Sequence, residues 1–485
     1  MKCSVQMKQG LYETLTEYCQ ADILPMHMPG HKRNYKFQME NPYELDVTEV
    51  PGLDNLHQPE GVIRELMDQI AKEYRSEASF LLVNGSTCGL LAAITACCRR
   101  GDRILVARNC HKAVYNAIRL LELRPVYVYP SAEGGEMEAL GITGIISPED
   151  VEGALEEYAD ISCAVITSPT YEGIVSPVSA IADVVHKRKI PLIVDEAHGA
   201  HFHWHETFPD TALTEGADIV IESLHKTLPA FTQTGVLHAR FGLVKKEFLT
   251  WSLQTYQSSS PSYLLMAGAE RCFSYLMGKG REEMQRYVSD LEWFRQEMKA
   301  LRALRLFESR WKEPSKLVIA TDRASVQGCG LADRLRESYR IETEMSCGDY
   351  VIAMTSIADE RKSFERLASA LREIDGELAE KLDRQAFENV ESTAGKKSFC
   401  YDWHRPVPGM YSFEAAYFPK RRVPLHEAAG ELAAEPVYPY PPGIPLLVEG
   451  EKISREMVEL LERAAGQQIS VHGVADGFIN VLVTE

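Results

Sequence analysis

The 485-residue chain lacks the features that would mark a membrane, secreted or cysteine-stapled protein. It has no run of about 18 apolar residues, so we expect no transmembrane helix. Its first residues, MKCSVQMKQGLYETL, contain no apolar core of signal-peptide length. Its 11 cysteines are scattered and include no CxxC pair. This usage disfavours a disulfide framework or a cysteine-based zinc site, and it is typical of reduced thiols in the cytoplasm.

An excess of positive charge is also missing, because the formal net charge is −18. A nucleic-acid or anionic membrane surface is therefore not expected, whereas small cationic ligands suit the acidic chain. The 45% hydrophobic and 25% charged content is ordinary for a globular protein, and the length allows two to four domains. No internal repeat or low-complexity tract interrupts the chain.

What is present between residues 60 and 240 is an alternation of helical stretches with short apolar runs, at 79–83, 103–107, 125–129, 163–167, 191–194 and 219–221. Such alternation predicts βαβ units and a mainly parallel sheet, whose ligands bind at the carboxyl ends of the strands. We expect an N-terminal arm over 1–58, a large α/β domain over 59–295, a smaller α+β domain over 296–380 and a C-terminal α+β domain over 390–485. The polar stretch near 376–400 is interpreted as a linker.

Four groups of chemistry-bearing residues follow the predicted strands. The turn Asn84–Gly89 resembles a phosphate cradle at a helix N-terminus, His111 is a flat ring that can stack, Asp195 is an acid at a strand end, and Lys226 follows an apolar run. Each has an ordinary alternative, such as a Gly/Ser-rich turn, a helix cap or a solvated lysine. Together they supply what pyridoxal phosphate (PLP) requires: a phosphate site, a stacking ring, an acid for the ring nitrogen and a reactive lysine.

These residues belong to longer motifs spread over nearly the whole chain. The motifs are His27-Met28-Pro29-Gly30-His31-Lys32, Asn84-Gly85-Ser86-Thr87, Asn109-Cys110-His111-Lys112, Ser168-Pro169-Thr170-Tyr171-Glu172-Gly173, Asp195-Glu196-Ala197-His198-Gly199, Ser223-Leu224-His225-Lys226 and Tyr440-Pro441-Pro442-Gly443-Ile444-Pro445. In this set the chain resembles the prokaryotic ornithine/lysine/arginine decarboxylases, which are fold-type-I PLP enzymes. Because PGHK comes so early, the resemblance is to the short, biosynthetic form without an additional N-terminal domain.

The resemblance implies that Lys226, Asp195 and His111 are catalytic: Lys226 binds the cofactor covalently, Asp195 holds its ring nitrogen and His111 stacks on the ring. The implied cofactor-binding set is Ser86, Thr87, Cys88, His111, Thr170, Asp195, His198, Ser223, His225 and Lys226, with no metal. Two positions depart from the family pattern. Cys88 replaces a small residue and would act through its backbone N–H, and Pro229-Ala230 stands where many relatives have glycines.

The segment Gln257-Ser258-Ser259-Ser260 resembles a loop that reaches the cofactor phosphate of a neighbouring subunit. The resemblance therefore implies a homodimer or higher homo-oligomer with the active site at the subunit interface. No nucleic acid or membrane partner is expected.

The implied reaction is PLP-dependent α-decarboxylation of a basic amino acid, with arginine to agmatine first, then lysine, then ornithine. A fold-type-I aminotransferase or lyase is an alternative, because fold does not fix reaction, and so is a non-catalytic relative. The carboxylates that could read a cationic substrate are Asp46, Glu49, Asp54, Glu449 and Glu451, each of which could equally be a solvated loop acid. A metal site at His198, His201, His203 and His205 is the weaker interpretation, since no second ligand cluster supports it.

Overall fold

The computed structural model describes residues 10–39, 41–131, 135–387, 405–440, 443–466 and 469–484. The N-terminal arm holds helix α1 (Leu11–Gln20), strand β1 (Leu24–Met26) and the short helix α2 (Pro42–Leu45). β1 pairs in parallel with the distant strand β11 (Ile341–Thr343). The arm is therefore joined by backbone hydrogen bonds to a segment more than three hundred residues away in the chain.

A seven-stranded sheet dominates the part of the chain before residue 240. Its strands are β2 (Ala78–Leu82), β3 (Arg103–Ala107), β4 (Arg124–Val128), β5 (Ile161–Thr167), β6 (Leu192–Asp195), β7 (Ile219–Glu222) and β8 (Gly235–Ala239), in the spatial order β2-β8-β7-β6-β5-β3-β4. The six predicted strands are present with ends within two residues, and the mostly parallel α/β sheet is confirmed. β8 was not predicted. It runs antiparallel to both β2 and β7, so the carboxyl ends of β2 and β7 still lie on the same edge of the sheet.

Ten helices accompany this sheet in the described chain: α3 (Val62–Tyr74), α4 (Gly85–Cys97), α5 (Lys112–Leu120), α6 (Glu136–Leu140), α7 (Pro148–Glu157), α8 (Val178–Lys187), α9 (Leu224–Thr227), α10 (Lys246–Tyr256), α11 (Tyr263–Tyr275) and α12 (Arg281–Met298). The central strands are apolar on both faces, as a sheet covered by helices on both sides requires. Ile193 and Val194 of β6, for example, are fully buried. α4 is apolar on nearly all faces, because it packs between the sheet and α10.

A second, antiparallel sheet has the order β12-β13-β10-β9 and is formed by β9 (Arg305–Leu306), β10 (Lys316–Ala320), β12 (Met345–Cys347) and β13 (Tyr350–Met354), with helices α13 (Gly328–Tyr339) and α14 (Arg361–Phe387). The linker predicted from residue 376 is wrong as far as residue 387, because α14 continues through it. Leu378 and Ala379 are buried while Glu377 and Glu380 are exposed. The polar residues there form the solvent face of an amphipathic helix, and the rest of the predicted linker, through residue 400, lies outside the described residues.

The C-terminal region contains β14 (Val407–Pro408), α15 (Ser412–Ala415), β15 (Lys420–Pro424), β16 (Tyr438–Pro439), β17 (Glu451–Lys452), α16 (Arg455–Gly466), β18 (Val471–His472), β19 (Val474–Ala475) and β20 (Phe478–Leu482). Three strands pair as β15-β20-β19, and two short ladders join β14 to β17 and β16 to β18. The predicted domain start at residue 390 and the motif residues Pro441 and Pro442 lie outside the described residues.

Among the described residues, two large apolar cores and one small cluster (Ala415, Ala434 and Leu482) are present. The larger surrounds the seven-stranded sheet, and the second joins Val437 and Leu461 of the C-terminal region to Ile352 of β13 and Tyr171 after β5. Among the described helices, none combines the length and apolar character that crossing a bilayer requires.

Candidate active site

A cavity of about 620 Å³ lies at the carboxyl edge of the seven-stranded sheet. Nine of the ten predicted cofactor-binding residues line it: Ser86, Thr87, His111, Thr170, Asp195, His198, Ser223, His225 and Lys226. They follow five different strands, whose carboxyl ends share one edge because of the sheet topology. The cavity is also lined by Met28 and Pro29 of the arm and by Tyr440 and Ile444 of the C-terminal region.

Lys226 lies in the short helix α9, directly after β7, and is only partly exposed. Its Nζ is 3.0 Å from Nε2 of His198. Burial lowers the pKa of Lys226, while the nearby negative charges of Asp195 and Glu344 act in the opposite direction. A lysine with a lowered pKa exists as the neutral, nucleophilic amine more often than a surface lysine does.

Asp195 is the last residue of β6 and is 3% exposed. Its Oδ1 accepts a hydrogen bond from the backbone N–H of Ala197 at 3.2 Å. Burial raises the pKa of Asp195, and the charge of Lys226 opposes that effect. A buried carboxylate with a raised pKa gains from a cationic partner, and its position in the cavity wall makes it available to one.

The N-terminus of α4 faces the same cavity, with Gly85, Ser86 and Thr87 in its first turn. Asn84 is the N-cap but makes no side-chain capping bond, so the first backbone N–H groups of the helix are not taken by it. Ser86 Oγ lies 2.7 Å from Ser223 Oγ across the sheet edge. Hydroxyl groups and a helix N-terminus in this arrangement are suited to binding a phosphate group.

His225 lies beside this cradle and shares a hydrogen bond between its Nδ1 and the carbonyl oxygen of Thr234, 2.9 Å apart. A carbonyl only accepts, so Nδ1 carries the proton. Cys88 is the one predicted residue that does not line the cavity. Its buried thiol donates to the carbonyl oxygen of Gly85 at 3.0 Å, and burial raises its pKa to about 12.

His111 is the N-cap of α5, and its Nδ1 accepts a hydrogen bond from the backbone N–H of Ala113 at 3.3 Å. Burial, with the charges of Lys226 and Lys112, lowers its pKa to about 3, so the ring is neutral, and the bond from Ala113 holds its orientation. Thr170 lines the cavity, but its hydroxyl donates to Glu172 at 2.9 Å and accepts from the backbone N–H of Ile174.

Lys316 was missed by sequence reasoning. It opens β10 on the second sheet, is 1% exposed, and places its Nζ 2.7 Å from Nδ1 of His198. His198 therefore lies between two lysines, Lys226 and Lys316. The sequence signal that could have identified it is a lysine at the start of the apolar run KLVIA. The residues around position 316 do not indicate, however, that this lysine contacts His198.

Three of the acids considered for substrate recognition are engaged elsewhere. Asp54 accepts backbone hydrogen bonds around the start of α3, Glu449 pairs with Arg119, and Glu451 pairs with the buried Arg108. Neither Asp46 nor Glu49 is among the residues that line the cavity.

Among the described residues that line the cavity, Glu344, in the segment between β11 and β12, is the second carboxylate besides Asp195. Its Oε1 accepts from the Tyr171 hydroxyl and its Oε2 from the backbone N–H of Met28, at 2.8 Å. Sequence reasoning also missed this residue.

The other histidines of AHGAHFHWHE point to separate partners. His201 lies 3.3 Å from Glu313, His203 is 3.0 Å from Glu73, and His205 is 3.1 Å from Gln285. Within the described ranges, no cluster of three or more His, Cys, Asp or Glu is arranged to hold a metal ion.

A wider cavity of about 1060 Å³ adjoins the site and shares Asn84, Thr232 and Gln233 with it. Ser258 and Ser260 line this second cavity, and the backbone N–H of Ser258 donates to Oδ1 of Asn84 at 3.1 Å. The segment Gln257-Ser258-Ser259-Ser260, called the serine loop below, thus borders the site of its own chain.

Taken together, the cavity offers an anion cradle, a buried carboxylate, a neutral flat imidazole and an amine of lowered basicity. These groups can hold a flat ring that carries a phosphate at one end and a positive charge at the other.

Comparison with known proteins gives consistent matches. The family model described as "Orn/Lys/Arg decarboxylase, major domain" matches residues 9–322, and "Orn/Lys/Arg decarboxylase, C-terminal domain" matches residues 416–474. The uncharacterized protein YaaO of Bacillus subtilis is 35% identical over 480 residues, with 96% of each chain covered. A protein of the same organism named arginine decarboxylase is 28% identical, with 98% of each chain covered. The solved structure of the Escherichia coli constitutive lysine decarboxylase superposes with a TM-score of 0.75 at 20% identity, covering 93% of this chain and 76% of that one.

Proposed function

Because this chain belongs to the Orn/Lys/Arg decarboxylase family, we propose that it catalyses the PLP-dependent α-decarboxylation of a basic amino acid, and that L-arginine, converted to agmatine, is the preferred substrate. The observation that carries the proposal is the convergence of Lys226, Asp195, His111 and the α4 cradle on one cavity. Relatives named arginine decarboxylase, which align over nearly the whole chain, support arginine ahead of lysine and ornithine.

The residues present fit PLP. The phosphate group would occupy the turn of Ser86 and Thr87 with Ser223 and His225, and Asp195 would face the ring nitrogen. PLP, when bound, supplies an electron sink for the electrons released as CO₂ leaves. The carboxylate of Asp195 would favour a protonated ring nitrogen, because opposite charges at short distance favour ionisation.

The chain's own groups orient and hold protons around that cofactor. Lys226 is the amine that would bind the cofactor, and its lowered pKa keeps a larger fraction of it neutral. His111 presents a neutral ring whose orientation is fixed by its bond from Ala113. The reaction consumes one proton, and Lys226, which lies in the cavity wall, is the group proposed to deliver it to the substrate Cα.

Substrate recognition is proposed to involve Glu344. It is the carboxylate in the cavity wall that remains once Asp195 is assigned to the cofactor. Its partners, Tyr171 and the backbone of Met28, hold it in place by donating to it, and they do not neutralise its charge. A fixed carboxylate can bind the guanidinium or ammonium group of a basic amino acid by a charge-assisted hydrogen bond.

The aminotransferase alternative finds less support in the cavity. An aminotransferase usually needs an arginine that clamps the substrate α-carboxylate, whereas a decarboxylase leaves that group poorly stabilised. The described residues that line the cavity include no arginine.

The assembly is proposed to be a homodimer or larger homo-oligomer. A second copy would cover the 1060 Å³ cavity, whose lining includes Phe37, Phe231 and Tyr275, and would bring its serine loop to the site. Apolar lining of this extent is typical of surfaces that bind another protein. A cytoplasmic role in polyamine biosynthesis is part of the same proposal.

The test is amine and CO₂ release by the purified protein with PLP, offered arginine, lysine, ornithine and several neutral amino acids in parallel. Agmatine formed far faster than cadaverine or putrescine supports the proposal as stated. A preference for lysine or ornithine would correct the substrate. Bound cofactor without CO₂ from any basic amino acid would overturn the decarboxylation, and keto-acid acceptors would then be screened for transamination.

A further inference from the structure

Lys316 is a buried lysine that the proposed reaction does not use. It enters the site from β10, on a different sheet from Lys226, and both amines contact the same imidazole. Lys316 Nζ is 2.7 Å from His198 Nδ1, and Lys226 Nζ is 3.0 Å from His198 Nε2. The two nitrogens of one ring thus join two lysines that lie 90 positions apart in the chain.

His198 is neutral in this environment. Burial lowers its pKa well below the ordinary value, and the positive charges of Lys226 and Lys316 act in the same direction. A neutral imidazole has one N–H donor and one acceptor nitrogen, whereas an ammonium group can only donate. The lysine that receives the ring N–H must therefore be a neutral amine. With both hydrogen bonds formed, at most one of the two lysines is charged.

Carboxylates lie near both lysines, so the shared proton can reside on either of them. Glu313 has one carboxylate oxygen 3.1 Å from the backbone N–H of Lys316, and it stays ionised at neutral pH. The other charged or titratable groups that face Lys316 are His198, Tyr171, Lys312, Glu172, Glu344 and Lys226. Those facing Lys226 are Asp195, Glu344, Lys316, His111, His198 and His225. Glu344 favours the charged form of both lysines, whereas Asp195 favours the charged form of Lys226. A cationic ring nitrogen bound to Asp195 would offset this effect of Asp195 on Lys226.

We propose that Lys316 and His198 form a proton relay with Lys226, in which Lys316 holds the shared proton while Lys226 is the neutral amine. The relay moves one proton in two linked steps. An N–H of the Lys316 ammonium transfers its proton to Nδ1 of His198, and the proton on Nε2 transfers to Lys226. Lys316 ends as an amine, Lys226 as an ammonium group, and the ring in its other tautomer.

This inference rests on the proposed function, because it concerns a lysine that must act first as an amine and then as an acid. Lys316 does not touch the reacting atoms and is a positioning residue. Its burial explains why it is suited to the task, since burial lowers its pKa to about 7 against the attraction of Glu313, and a group with that pKa releases and regains protons readily near neutral pH.

The test measures Lys226 itself, in full-length protein from which the cofactor has been removed. Acetic anhydride is pulsed at a series of pH values, and acetylation of the Lys226 peptide is read by mass spectrometry. In Lys316→Met the positive neighbour is gone, so Lys226 holds its proton to higher pH. We expect its labelling at neutral pH to fall roughly tenfold, because a rise of about one unit in the pKa of Lys226 lowers its neutral fraction about tenfold.

Two further variants separate charge from packing. Lys316→Gln keeps a donor for Nδ1 but has no charge, and it should behave as Lys316→Met does even if the methionine variant folds poorly. Lys312→Met removes a lysine from the segment that precedes β10, where its Nζ donates to the carbonyl oxygens of Glu313 and Lys316 and not to His198. Its Lys226 profile should stay within about twofold of wild type.

A Lys226 profile that is unchanged in both Lys316 variants, or shifted equally in Lys312→Met, would overturn the relay. A shift confined to the Lys316 variants supports it. If the wild-type protein releases no CO₂ while that shift is present, the proposed decarboxylation fails and the coupling between the lysines stands, so the two conclusions are tested separately.

Discussion

Two groups of buried charges in this molecule, the Arg108–Glu451 pair and the charges of the candidate site, differ in the kind of partner that each charge has. Arg108, 1% exposed, donates to Glu451 at 3.0 Å and also to the Leu446 carbonyl, and Glu451 accepts from the backbone N–H of Val448. This cluster joins the sheet to the C-terminal region with a carboxylate directly opposite a guanidinium.

At the candidate site the buried charges meet neutral groups instead. Lys226 and Lys316 share His198, and Asp195 has a backbone N–H as its partner. Burying charge is costly unless it is paired, so the first cluster can stabilise a structure, whereas the second leaves its charges free to bind a ligand and exchange protons. The difference separates the residues that hold the chain together from those proposed to act on a substrate.

The largest effect is expected from Lys226→Ala. If the amine acts chemically, its loss should lower the decarboxylation rate by at least about 10³-fold, as removal of a nucleophile does in other enzymes. Stability should not fall, because a partly exposed lysine with a lowered pKa contributes little to it. Steady-state CO₂ release and urea unfolding measure the two quantities. Retained CO₂ release would remove Lys226 from its proposed role.

The reverse pattern is expected for Glu451→Gln. Breaking a buried ion pair by removing one partner costs about 3–5 kcal/mol, because the other charge is left uncompensated. The free energy of unfolding should fall by that amount, while kcat of the folded fraction stays close to wild type. Glu449→Gln is the matched control, since its partner Arg119 is half exposed and such pairs contribute about 0–1 kcal/mol. Equal losses in the two variants would contradict the distinction between the clusters.

Glu313 combines features of both groups of buried charges. It contacts Lys316 beside the candidate site, and its carboxylate also accepts hydrogen bonds from His201 and Ser315. Burial alone would raise the pKa of Glu313, but the hydrogen bond from His201 and the charges of Lys312 and Lys316 lower it to about 2. A carboxyl group whose pKa is lower in the folded chain stabilises the fold above its unfolded pKa, and loses that contribution as pH falls towards the folded value.

Glu313→Gln should therefore be less stable than wild type by about 3 kcal/mol at pH 7, and the gap should narrow as the pH falls from about 5 towards 2. Urea unfolding at a series of pH values measures it. Glu308→Gln, which removes a half-exposed partner of Arg295, should show a small difference with little pH dependence. A gap for Glu313→Gln that is constant with pH would show that the loss is one of packing.

The same comparison explains how far sequence reasoning reached. Asp195, His111 and Lys226 each follow an apolar strand within a few residues, so local pattern and sheet topology predict that they meet. Lys316 reaches His198 from the second sheet, and Glu344 reaches the cavity from the segment between β11 and β12. Both approaches depend on how distant parts of the chain pack together, which no local pattern encodes. Strand β8 was missed because its run GVLHA is short and contains the polar His238, and α14 was cut short because its solvent face is polar.

The smallest effect, and the one that tests substrate recognition, is expected from Glu344→Gln. Gln keeps the size of the side chain but loses the negative charge that is proposed to bind the cationic end of the substrate. Hydrogen bonds to charged groups contribute about 1.5–3 kcal/mol, so KM for arginine should rise about tenfold or more, with a smaller change in kcat. Steady-state kinetics with arginine and with a neutral amino acid of similar length separates binding of the side chain from general damage to the site.

Glu342→Gln is the control, because Glu342 lies two residues earlier and pairs with Arg336 at 2.8 Å on the surface. A KM that rises equally for the neutral substrate, or rises in Glu342→Gln as well, would place the recognition of the cation elsewhere. A rise confined to arginine in Glu344→Gln would assign the second carboxylate of the cavity to the substrate, as Asp195 is assigned to the cofactor.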